Sequence, residues 1–140
     1  MPFLIGIIYA DALGAERGGY IIIQQDKPDI TLVGNGSEVA TLVAAAAIVK
    51  EQGINAQVVS VPSIGLFLDQ DTEYRNKVIP NGVPTFGLTS GLPSTLRRIL
   101  PTGEIYGLDH FGASAPYKVL DEKFGFTPEH IAQCIFKQMK

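Results

Sequence analysis

The 140-residue sequence contains no tryptophan, one cysteine at position 134 and only two histidines, His110 and His130. A lone thiol can neither close an internal disulfide nor supply a thiolate cluster for zinc, so a stapled secreted scaffold and a zinc module are both excluded. A reducing compartment, the cytoplasm, is the expected setting. Cys134 falls at helical spacing with Ile131 and Ile135 and reads as a small buried hydrophobe. Positive charge is scarce too: 11 Lys and Arg against 14 Asp and Glu leave a net charge of -3. That balance lacks the basic footprint nucleic acid requires. Long apolar runs are also missing. Phe3–Tyr9 is far shorter than the about 20 residues that span a bilayer, and no Lys or Arg precedes Arg17 to give it the basic flank of a signal peptide. Neither nucleic acid nor membrane is an expected partner.

What the chain does contain is ordinary globular material. Apolar residues make up 46% and charged residues 18%, and a chain of this length buries roughly two thirds of its unfolded surface, enough for a single core. Tyr20–Gln24 is β-branched and apolar between glycines and Asp26-Lys27-Pro28, which predicts a strand, and 29–33 predicts a second. After Gly34-Asn35-Gly36-Ser37-Glu38, the residues Val39, Leu42, Val43, Ala46 and Val49 recur at helical spacing until Gly53. Ala56–Val61 is a third strand, parallel to the second across its crossover helix. One surface helix is expected over 68–79, where acids precede bases in the order a helix dipole favours. Thr85–Leu88 is a strand, followed by a helix from near Pro93 bearing Leu96, Ile99 and Leu100, then a strand over 104–108 and a helix through Val119, Leu120 and Phe124. Thr127-Pro128-Glu129 combines cap, first-turn proline and first-turn acid and opens a terminal helix.

Three clusters invite chemistry. Gly34, Gly36 and Ser37 stand where a strand feeds a helix, so backbone N–H groups there could hold an anion, with Ser114 as a further contributor. The competing reading, a tight turn with a serine cap, is favoured because strand-to-helix turns need glycine far more often than they bind phosphate, and no third glycine completes the dinucleotide fingerprint G-x-G-x-x-G. Asp109, His110 and Ser114 sit too close in sequence for a triad, whose members usually come from separate elements, and no G-x-S-x-G elbow occurs. Arg97 and Arg98, being adjacent, diverge on a helix and read as a solvated basic face, while His130 reads as a surface residue. No catalytic, cofactor-binding or metal-binding residue is assigned.

The stretches Gly18-Gly19-Tyr20, Gly34-Asn35-Gly36-Ser37-Glu38-Val39, Val59-Ser60-Val61-Pro62-Ser63, His110-Phe111-Gly112-Ala113-Ser114-Ala115-Pro116 and Gly125-Phe126-Thr127 occur in one order that resembles the C-terminal domain of transketolases. The resemblance covers 13–140 and leaves 1–12 as an atypical N-terminal segment. It implies a three-layer α/β/α fold around a mixed five-stranded sheet, with the first strand antiparallel to the rest. It also implies a non-catalytic domain of an enzyme that transfers a two-carbon ketol unit between sugar phosphates, with thiamine diphosphate and Mg or Ca held by other domains. The implied partners are the N-terminal and middle domains or a second subunit of a homodimer. From a different class, a small regulatory anion-binding α/β module is the alternative.

Overall fold

A computed structural model describes residues 17–35, 38–89, 93–107 and 127–139. Five strands form one sheet: β1 (Tyr20–Ile23), β2 (Ile30–Gly34), β3 (Ala56–Ser60), β4 (Thr85–Leu88) and β5 (Glu104–Tyr106), in the order β1-β3-β2-β4-β5. β1 runs antiparallel to β3, and every other pair is parallel. The central strands are uninterrupted in their burial, as parallel strands covered on both faces must be.

Side-chain alternation along those strands builds two cores. Ile30 and Leu32 of β2, Ala56 and Val58 of β3, and Phe86 and Leu88 of β4 point to one face. Covering them are α1 (Glu38–Lys50), through Leu42, Ala45 and Val49, and α5 (Pro128–Met139), through Ile131 and Ile135. On the other face Val33, Val59 and Val61 meet α2 (Ile64–Leu68), α3 (Thr72–Val78) and α4 (Pro93–Arg97) through Phe67, Val78 and Leu96. The result is the expected three-layer arrangement. Each fully buried aliphatic or phenylalanine side chain contributes about 1.5–3 kcal/mol of transfer free energy.

Local chemistry sets most of the element ends. α1 carries Glu38 in its first turn and Lys50 in its last, each complementing the helix dipole, and stops at Gly53, whose φ of 83° suits glycine. Its last carbonyls are taken by Gly53 N–H at 2.9 Å from Lys50 O and Ile54 N–H at 3.1 Å from Val49 O. At α5, the Thr127 hydroxyl accepts from His130 N–H at 3.3 Å.

The helix expected over 68–79 is shorter, α3 over Thr72–Val78, and a separate helix, α2, ends at Leu68 just before it. Ser63 caps α2 by accepting from Leu66 N–H at 3.3 Å, and Asp71 caps α3 by accepting from Tyr74 N–H at 2.7 Å. The break falls at Asp69 and Gln70, because Asp71 takes extended backbone angles to cap the next helix. The second correction is smaller: β5 ends at Tyr106, and α4 ends at Arg97, so Ile99 and Leu100 pack on the core from the turn beyond it. The helix expected through Val119 lies outside the described residues.

Candidate functional site

β2 and β4 are neighbours in the sheet, and Gly34 pairs in register with Leu88 at their carboxyl ends. From there the chain enters α1 on one face and α4 on the opposite face. Such a divergence is where open α/β sheets commonly hold ligands, and Gly34 lies directly on it. Gly34 is buried with no room for a side chain: a Cβ there would stand 2.8 Å from Leu42 Cδ1 and 3.2 Å from Leu88 O. Its own carbonyl accepts from Val61 N–H at 2.8 Å. Next to it, Glu38 is buried in the first turn of α1, so a carboxyl group already stands near the positive end of that helix. Gly36, Ser37 and Ser114, together with Asp109 and His110, lie outside the described residues.

The remaining sequence candidates have structural work. Arg97 is not simply solvated, because its Nη1 donates to Leu100 O at 3.2 Å and Gly103 O at 2.9 Å and so closes the turn between α4 and β5. His130 is exposed, with its ring 5.6 Å from that of Tyr106. Cys134 is half-buried against the core formed with α1. Burial pushes its thiol pKa up, Glu104 adds to the rise, and Lys137 opposes it. A thiol in that state is a poor nucleophile at neutral pH. Among the described residues no three His, Cys, Asp or Glu side chains gather as a metal-holding group.

A surface feature stands out instead. Between Glu38 and Lys50 the only polar residue of α1 is Thr41, so the helix is apolar nearly all round, a property of helices covered on several sides. The sheet and α5 cover one side. On another, Val43, Ala44 and Ala47 face Ile23 and Ala56 across a cleft of about 410 Å³, with Gln25, Lys50 and Glu51 among its polar lining. The helical periodicity of 39–49 located the buried side of α1, but the unbroken run Val43-Ala44-Ala45-Ala46-Ala47-Ile48-Val49 was the sign of the second apolar side.

Fold and surface together describe a mixed-sheet α/β/α domain with an apolar helix face suited to a neighbour. Comparison with known proteins sharpens this: residues 18–127 match the family described as Transketolase-like TK C-terminal domain, and the chain belongs to that family. Transketolase 1 of Candida albicans is 40% identical over 140 residues, covering all of this chain and 20% of that protein. A plasmid-encoded transketolase of Cupriavidus necator is 39% identical over 117 residues, 83% of this chain and 18% of that one. Among solved structures, a transketolase from Pichia stipitis superposes with a TM-score of 0.84 at 37% identity over 91% of this chain, and one from Leishmania mexicana with 0.83 at 31%. The chain spans about a fifth of the length of the curated relatives it matches. Among the described residues no helix is long and apolar enough to cross a membrane.

Proposed function

We propose that this chain acts as the non-catalytic C-terminal domain of a cytoplasmic transketolase, whose reaction moves a two-carbon ketol unit between sugar phosphates in the pentose phosphate pathway. In this reading thiamine diphosphate and its divalent cation belong to the preceding domains, and the work of this domain is architectural. It presents apolar surface to those domains or to a second subunit of a homodimer. The apolar cleft on α1 carries the proposal, since a helix whose sole polar residue between Glu38 and Lys50 is Thr41 needs a neighbour on its outer side. Catalysis would depend on this chain only through the assembly it supports.

The test supplies the two cofactor-binding domains of a transketolase as a separate chain and reads association by sedimentation velocity. Association is expected, and Ala47→Glu, placed on the exposed part of the cleft, should weaken it while circular dichroism stays unchanged. Ideal monomer behaviour, with no complex at any ratio, would remove the architectural role.

A further inference from the structure

A second cavity opens on the opposite face of the sheet, at the amino-terminal edge of β4. Its volume is about 430 Å³, toward the lower end of the range of roughly 300–1,000 Å³ typical of small-molecule pockets. One wall is α3 with the turn that follows it, and the other is the segment 98–102 after α4. Phe67, Leu100 and Thr85, all buried, form the inner lining.

Both walls are tied to the sheet. Gln57, buried on β3, donates its Nε2 to Val78 O at 3.1 Å and holds the end of α3. Thr85 donates its hydroxyl to Thr102 O at 3.0 Å, and Arg97 clamps the same turn through Leu100 O and Gly103 O. The cavity is therefore preformed, which lowers the ordering cost of filling it.

Its ionic character has one sign. Arg75 enters from α3 and Arg98 from the turn after α4, and among the described residues no Asp or Glu lines the space. Thr72, Asn76, Asn81 and Thr102 supply neutral donors and acceptors. Arg75 is half-buried, and its Nε is shielded from solvent without a hydrogen-bond acceptor. Asp71, one turn earlier on the same helix, is engaged in capping Tyr74 N–H. Buried donors normally have partners, and a guanidinium is shaped for the paired oxygens of a phosphate or carboxylate. Two guanidiniums match a doubly charged group better than a singly charged one, and a phosphate monoester carries about -1.5 to -2 at neutral pH.

We propose that this groove binds a small phosphate monoester, with the phosphate between Arg75 and Arg98 and the organic part over Ile79 and Leu100. The asparagine and threonine side chains then meet its hydroxyls. This site lies across the sheet from the cleft on α1, so it stands independently of the docking role.

Amide chemical shifts of the 140-residue chain decide the matter, titrated at constant ionic strength with inorganic phosphate, glycerol 3-phosphate and glycerol. The expected result is saturable movement confined to amides such as those of Asn76, Asn81 and Thr102, with the ester binding more tightly than inorganic phosphate and glycerol silent. Arg75→Gln and Arg98→Gln should each weaken the ester by about tenfold or more, the loss of one charge-assisted contact, while the distant Lys27→Gln leaves it unchanged. Arg98 is exposed, so its variant carries the decision if Arg75→Gln fails to fold. Shifts that spread over the whole surface without saturating, affinity unaltered in the arginine variants, or equal affinity for phosphate and ester would overturn the proposal.

Discussion

Substituting alanine for Gly34 separates a packing role from a ligand-binding one, because it adds a single methyl group and leaves every backbone N–H in place. The added Cβ would come 2.8 Å from Leu42 Cδ1 and 3.2 Å from Leu88 O. Contacts that short force a shift, and adding a methyl group to a packed core costs about 1–3 kcal/mol. The nearer obstacle is the end of a side chain, and the farther one is backbone of β4, which can yield only slightly. Leu42→Ala alone should cost about 2–5 kcal/mol, since Leu42 is fully buried against the sheet. The double variant removes the closer obstruction, so its cost should fall short of the sum by about 1–2 kcal/mol, within the range seen for touching residues. Urea unfolding followed by far-ultraviolet circular dichroism gives the three differences from midpoints at constant slope. A Gly34→Ala change within about 0.5 kcal/mol of the parent, or strict additivity in the double variant, would refute the packing argument.

Other outcomes follow from single contacts. Asp71→Ala removes the cap on Tyr74 N–H at 2.7 Å and should cost about 1 kcal/mol, measured by thermal unfolding, with Asp71→Asn retaining most of it. Gln57→Leu leaves Val78 O without its donor and Gln25 N–H without the acceptor at 3.3 Å, so a loss of about 1–3 kcal/mol is expected in urea despite the gain in apolar surface. Cys134, Tyr74 and Tyr106 all have pKa values raised chiefly by burial. For an acid whose folded pKa is raised, stability is complete below the unfolded value and is lost as pH climbs through the folded one. Denaturant midpoints should therefore hold to about pH 8 and decline above about pH 8.5–10, where free thiols and phenols ionise. Iodoacetamide should label Cys134 more slowly at pH 8 than it labels the urea-unfolded chain; equal rates would contradict the burial.

The strands were legible because apolar runs such as Thr31-Leu32-Val33 and Gln57-Val58-Val59 are bounded by turn residues, and that signal is local. Helix division over 64–79 was less so. The charge order of 68–79 fits one helix, and no proline or glycine interrupts Leu68-Asp69-Gln70-Asp71, yet Asp71 breaks the helix by capping the next. Strand order and the reversed direction of β1 depend on pairing across long stretches of chain, so only the family resemblance could supply them. The same holds for the cationic groove. Arg75 on α3 and Arg98 in the turn after α4 line one cavity because α3 and α4 cover the same face of the sheet, whereas Arg98 in sequence looks like one half of a solvated pair. Gly34 was legible as a turn glycine, but the reason it cannot be larger resides in Leu42 and Leu88.

The placement of β1 sets an order in time. Among the described residues β1 pairs only with β3, through Tyr20 with Ser60 and Ile21 with Val59, and the register shifts before Ile23. A ribosome releases β1 well before β3, so β1 waits for β3 until both β2 and α1 have been completed. Since β2 and β3 are joined through α1 and lie in continuous register from Ile30 with Ala56 to Gly34 with Ser60, they are expected to assemble first, with β1 closing the edge afterwards. The edge strand is thus the last latch on a sheet already built, and weakening it should raise the rate at which that edge opens before it disturbs the centre.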